Sequence, residues 1–182
     1  MTFRTRRQFL KSAVAAPLIV PAMVFGTDEK AAPSERVTVG HIGTGNQGGH
    51  LFRMTQQVKE AQSVAVADCF TSRRNGYAAA CKGKAYADFR ELLQRDDIDC
   101  VIIATPDHWH VPIGVAAAKA KKGAYIEKPL GLTLAQNLAC LKIFKENNAV
   151  FQYGTQQRSQ ENCWRGCQLV RQIGRASCRE RV

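Results

Sequence analysis

No apolar run near the N-terminus reaches the roughly 20 residues that a helix needs to cross a bilayer. The stretch Ser12 to Phe25 falls short and is broken by Pro17 and Pro21, so no stable membrane span is expected. The seven cysteines contain no CxxC pair, which excludes the common zinc and redox motifs built on one. Cys163 and Cys167 share a predicted helix face, but nothing nearby completes a metal site. Cys69, Cys100 and Cys140 sit in apolar surroundings and read as core. No internal repeat and no long low-complexity segment occurs. Acid is scarce, with 15 Asp and Glu against 26 Lys and Arg, for a net charge of +11. Partition weakens the nucleic-acid reading this invites: +3 lies in residues 1–32, +2 in 173–182 and +6 is spread over 33–172. The one cluster, Lys119, Lys121 and Lys122, is predicted to cover a helix C-terminus. No nucleic-acid partner is expected.

The two ends read differently from the middle. Thr5-Arg6-Arg7-Gln8-Phe9-Leu10-Lys11 ahead of a modest apolar stretch looks like a twin-arginine export signal, so a periplasmic or extracellular location is expected. Ile173 to Val182 resembles the in-frame translation of a common sequencing adapter and is set aside, with the natural protein expected to continue past Gln172. The organisation expected is a signal and linker over 1–32, a dinucleotide-binding domain over 33–158, the start of a link to a second domain over 159–172, and the foreign tail over 173–182.

What is present between the ends is alternation. Strand patterns at Val37–Ile42, Ser63–Ala67, Lys84–Tyr86, Cys100–Ala104, Ala124–Ile126 and Val150–Tyr153 are separated by helical patterns over about 47–59, 72–81, 89–94, 112–122 and 133–147. A further helix begins over 159–171, and Thr133 with Gln136 has capping-box spacing. Six strands alternating with helices predict an α/β fold, a Rossmann-type doubly wound parallel sheet. Ligands then lie at the carboxyl ends of the strands.

The first strand runs into Gly43-Thr44-Gly45-Asn46-Gln47-Gly48. Gly43 permits a tight turn, Gly45 lets backbone approach a pyrophosphate, and Gly48 lets helix and strand pack closely. Asn46 and Gln47 complete the turn at the helix N-terminus, where free N–H groups and the dipole favour phosphates. Asp68 follows 20 residues after Gly48, at the end of the second strand, with a carboxylate suited to ribose hydroxyls. Strand, glycine turn, helix, strand and acid make the dinucleotide-binding fingerprint in its required context. A protein that acquires such a cofactor in the cytoplasm gains from an export route that moves folded chains. A basic surface could also attract the cofactor's phosphates.

Three further motifs follow strands four, five and six: Ala104-Thr105-Pro106-Asp107-His108-Trp109-His110, Glu127-Lys128-Pro129, and Gly154-Thr155-Gln156-Gln157-Arg158-Ser159. The topology brings all three loops to the edge that carries the glycine turn. With these motifs, residues 36 to about 172 resemble the N-terminal half of the Gfo/Idh/MocA oxidoreductases, the glucose–fructose oxidoreductase and inositol dehydrogenase family, and especially its exported bacterial members. The resemblance implies that Gly43, Gly45 and Gly48 hold the pyrophosphate and that Asp68 binds the adenosine ribose. It implies that Thr105, Pro106 and His110 line the nicotinamide half of the cleft, that Glu127 and Lys128 sit beside nicotinamide and sugar, and that Gln156 borders the nicotinamide. It also implies a cis peptide before Pro129. The activity implied is NAD(P)-dependent oxidation of a sugar, cyclitol or glycoside. A C-terminal α/β domain, absent from these residues, would supply much of the sugar site and the surface for a homo-oligomer. For residues 1–182 alone the resemblance implies cofactor binding without appreciable turnover.

The chemistry agrees with that reading. Oxidising a carbinol removes a hydride and a proton, and a lysine ammonium such as Lys128 can orient the hydroxyl, stabilise oxyanion charge and take part in proton transfer. Partial burial in the cleft is expected to depress its pKa, with Glu127 either compensating the charge or serving the cofactor. Asp68 favours NAD, because a carboxylate repels a ribose 2′-phosphate, whereas Arg73 and Arg74 just beyond it could pair with that phosphate in NADP. His108 and His110, with Asp107 beside them, could in principle hold zinc, but no third strong ligand is evident and no metal is expected. Trp109 reads as a wall of the cleft or a domain contact, and His41 and His50 as structural. One branch of the family cleaves glycosides through transient oxidation. Its best-known members depart at the lysine retained here as Lys128, which favours dehydrogenase chemistry. A non-catalytic scaffold is a third reading, against which the complete strand-end motifs argue.

Overall fold

Strands buried on both faces must be apolar nearly throughout, as in a parallel sheet covered by helices on each side. Val66, Val101, Ile103 and Ile126 are fully buried, and their segments form the centre of such a sheet. The computed structural model describes residues 31–179. Residues 31–36 carry one turn of 3-10 helix, Pro33–Glu35. From Val37 the chain forms β1 (Val37–Ile42), α1 (Asn46–Thr55), β2 (Ala61–Ala67), α2 (Thr71–Cys81), β3 (Lys84–Tyr86), α3 (Phe89–Leu93), β4 (Cys100–Ile103), α4 (His110–Lys119), β5 (Gly123–Glu127), α5 (Leu134–Glu146), β6 (Phe151–Gly154) and α6 (Glu161–Arg179). The six strands are parallel in the order β3-β2-β1-β4-β5-β6. The expected α/β doubly wound sheet is therefore the observed one, and its strand order reverses between β1 and β4, the crevice where such sheets bind ligands.

Several boundaries differ from the sequence reading for local reasons. β2 starts at Ala61 because it pairs with Val37. The chain must turn first, so α1 stops at Thr55 and the N–H groups of Gln57 and Val58 bond back to Met54 and Thr55. α4 begins at His110, which places Pro112 in the first turn, where its missing N–H has no helical partner to lose. Thr133 caps α5 by accepting from the Gln136 N–H at 3.2 Å, while Gln136 Oε1 accepts from the Leu132 N–H at 2.9 Å. Residues 173–179 continue α6, and the export motif lies outside the described residues. Among the described residues no helix is long and apolar enough to cross a membrane. Cys140 is buried as expected, but Cys69 is exposed, because it falls beyond the end of β2 in a loop.

Two fastenings hold the amino ends of the strands. Lys122 is buried, and its ammonium donates to the carbonyls of Arg95 (2.6 Å) and Ile98 (2.9 Å). It thus caps the loop ahead of β4, not the end of its own helix. Asp99, just before β4, accepts from the Thr38 N–H (2.7 Å) and hydroxyl (2.8 Å), which holds its carboxyl below the usual range. Replacing Lys122 with Met should lower unfolding stability by about 2–3 kcal/mol, since two buried carbonyls lose a charged donor. Urea titration of the variant against the unaltered chain checks this.

His41 of β1 is buried edge-on to Phe52, with Nε2 2.9 Å from the Ser63 hydroxyl oxygen, which also accepts from Gln56 at 2.6 Å. Burial pulls its pKa down to about 4. The unfolded chain therefore takes up this proton first as pH falls, so the contribution is full above about pH 6.5 and is lost toward pH 4. Up to about 3.5 kcal/mol rides on this group, at about 1.4 kcal/mol per pKa unit. Urea midpoints measured between pH 7 and 4.5 should fall in the unaltered chain and fall less in His41→Leu.

Candidate functional site

The turn after β1 is built by two glycines that have no substitute. Gly43 has φ +83, and a Cβ there would lie 2.8 Å from the Ala104 carbonyl oxygen. A Cβ on Gly48 would collide with the Gly43 carbonyl. The turn and the first turn of α1 therefore lie hard against the end of β4. Gly45 differs: its backbone is extended (φ −66), and the nearest atom to an added Cβ is Arg73 Nη1 at 3.7 Å. It faces open space.

That space is a cleft of about 580 Å3 lined by Gly43, Gly45, Asp68, Thr105, Pro106, His108 and Trp109 among others. Its walls include two arginine-on-phenylalanine stacks, Arg73 over Phe70 at 4.5 Å and Arg90 over Phe89 at 4.6 Å, with Trp109 edge-on to Phe89. Asp68 is buried at the end of β2. Its Oδ2 accepts from the Thr44 N–H (2.8 Å) and hydroxyl (3.0 Å), and its Oδ1 from the Phe70 N–H (2.8 Å). A carboxylate has about four acceptor positions, so one on Oδ1 remains for a ribose hydroxyl. Arg74 is committed to the carbonyls of Asp68 and Cys69, whereas Arg73 lines the cleft.

A second group gathers on the other side of the turn. Glu127 is buried at the end of β5 and accepts from the side-chain amides of Gln47 (2.8 Å) and Gln156 (3.1 Å) and from the Lys128 backbone N–H (2.8 Å). Burial, the Glu127 charge and a hydrogen bond to Glu127 together push the Tyr125 hydroxyl pKa up. The Lys128–Pro129 peptide is cis. Lys128 itself is exposed, not partly buried, because it lies just past the end of β5 in the bend before the cis peptide. Among the described ion pairs none joins Lys128 to Glu127. His110 is enclosed, with Nδ1 2.6 Å from the Pro129 carbonyl oxygen and Nε2 2.8 Å from that of Thr105. It ties the β4 and β5 loops together and does not line the cleft. Among the described residues no group of three His, Cys, Asp or Glu side chains forms a metal site.

The sequence-predicted residues thus fall in two clusters joined by Asn46, Gln47 and the glycines. Thr44, Tyr125, Phe70 and Phe89 were not singled out. Thr44 was legible only as the residue between two glycines, and the aromatic pair only once their loops converge. The fit to a dinucleotide rests on the structure's own vacancies for hydrogen bonds. Thr105 Oγ1 and Gln156 Oε1 are buried without a partner, and the space before Gly45 is one that a Cβ would fill. The residues fit the group.

Residues 37–155 match the model of the GFO/IDH/MocA oxidoreductase family, NAD-binding Rossmann fold. The chain belongs to this family. It is similar to the inositol 2-dehydrogenase of Rubrobacter xylanophilus, 39% identical over 98 residues, which is 53% of this chain and 28% of that protein. It is also similar to the α-N-acetylgalactosaminidase of Shewanella oneidensis, 29% identical over 187 residues, covering 87% of this chain and 38% of that one. Among solved structures it resembles an NAD-binding oxidoreductase from Klebsiella pneumoniae, with a TM-score of 0.64 and 26% identity over 75% of this chain and 39% of that one. The chain therefore spans well under half the length of these GFO/IDH/MocA relatives.

Gly45 offers a clean test of the cleft. Its backbone accepts a Cβ and nothing in the protein blocks one, so Gly45→Ala should keep its melting temperature. The added methyl should weaken NAD+ binding at least about tenfold by holding a phosphate off the backbone N–H groups. Isothermal titration beside a thermal melt measures both.

Proposed function

We propose that these residues belong to an NAD-dependent oxidoreductase of sugars, cyclitols or glycosides in which Lys128 handles the proton of the reacting hydroxyl. The observation that carries this is the glycine turn clamped between Asp68 and Glu127, with Lys128 leaving the same strand edge. A bound nicotinamide would supply the hydride acceptor. Gly43, Gly45 and Gly48 would hold the pyrophosphate on α1, and Asp68 the adenosine ribose. Thr105, Pro106 and Gln156 would face the nicotinamide half. The exposed ammonium of Lys128 is within reach of a substrate, can donate to its hydroxyl oxygen and can stabilise charge as the proton leaves. NAD is favoured over NADP because Asp68 keeps one acceptor for a ribose hydroxyl and Arg74 is already committed, while Arg73 leaves NADP a weaker route. Export by the twin-arginine route is supported by Arg6 and Arg7, and homo-oligomer formation by the family.

A second reading, NAD-dependent cleavage of glycosides, is favoured by the breadth of the α-N-acetylgalactosaminidase match, 87% of this chain against 53% for the inositol dehydrogenase. Both readings share the cofactor site and differ in product. Residues 1–182 should quench Trp109 fluorescence on titration with NAD+, more weakly with NADP+, and should oxidise no sugar. In a chain extended to the length of its relatives, Lys128→Met should lower kcat for NADH formation at least about 100-fold. Free aglycone released without net NADH would replace the dehydrogenase reading with the glycosidase one.

A further inference from the structure

Glu127 is a buried carboxylate held by donors from three elements. Its Oε1 accepts from Gln47 Nε2 and Gln156 Nε2, and its Oε2 from the Lys128 N–H. Three donors take three of its about four acceptor positions, and only 3% of the residue's surface is exposed. Glu127 is thus withdrawn from solvent and is not among the residues that line the cleft.

The donors come from separate elements. Gln47 lies in the first turn of α1, Lys128 at the exit of β5, and Gln156 in the 3-10 turn Gln156–Ser159 after β6. Gly45, which precedes α1, offers no side-chain cap. The first turn of α1, whose unpaired N–H groups make an anion site, is therefore braced from β5 by the Gln47 amide. A carboxylate only accepts, so both glutamines must turn their NH2 groups toward it. Their carbonyl oxygens then face elsewhere, and Gln156 Oε1 is left buried and unpaired.

We propose that Glu127 is a positioning residue that acts on the phosphate-binding turn through Gln47, and that it takes no direct part in binding or proton transfer. This rests on the dinucleotide reading, and its test separates the two. NAD+ and ADP-ribose, which lacks the nicotinamide, are titrated calorimetrically into the 182-residue chain and its Glu127→Gln, Gln47→Leu and doubly substituted forms. Each single change should weaken both ligands by the same factor, about tenfold, the scale of a lost charged hydrogen bond. The double change should fall well short of the product of the two, because the residues act as one unit. A loss confined to NAD+, or losses that multiply, would overturn the proposal. Amide exchange without ligand gives a second decision. Exchange at residues 44–49 should quicken in both single variants while β4 stays protected, and an unchanged turn sinks the idea. If the unaltered chain binds neither ligand, the cofactor reading fails, while the exchange result still decides the role of Glu127.

Discussion

A carboxylate withdrawn from water must find hydrogen-bond donors in the protein. Two such groups, Asp68 and Glu127, stand on either side of the glycine turn, and both draw donors from it. Asp68 takes the N–H and hydroxyl of Thr44, and Glu127 takes the amide of Gln47. The demand of each acid is met only when the turn occupies one position. The turn in turn needs Gly43 and Gly48, because the acids draw it against the end of β4 where no Cβ fits. Cleft, cradle and sheet edge follow from that pair of constraints.

Much of this was legible in the sequence, and the reason is distance along the chain. Gly43, Gly45, Gly48 and Asp68 belong to one contiguous strand-turn-helix-strand unit, so their spacing carries their geometry. The sheet was legible because its strands are apolar throughout and alternate with helices. What escaped depended on residues far apart. Gln47 and Glu127 are 80 positions apart, and nothing in either segment announces the bond between them. Lys122 was expected at the end of its own helix, but a buried ammonium goes to the nearest unpaired carbonyls, and those lie 24 and 27 positions earlier. Lys128 was expected to be half-buried, yet it lies one residue past the end of β5, where the chain has already left the covered sheet.

The relatives fit this division of roles. A dehydrogenase and a glycosidase both match this stretch, so the stretch holds what their chemistries have in common. Function resides in sites carried by a fold, and here the common part is the cradle for a dinucleotide.

The two fastenings at the amino ends of the strands have a consequence for how such a domain can change. Lys122 on the carbonyls of Arg95 and Ile98, and Asp99 on Thr38, secure the sheet at the end away from the cleft. Loops at the carboxyl ends can then be rewritten, lengthened or retuned by evolution with little cost to the scaffold beneath them. A lineage can exchange one substrate for another while inheriting the same chassis.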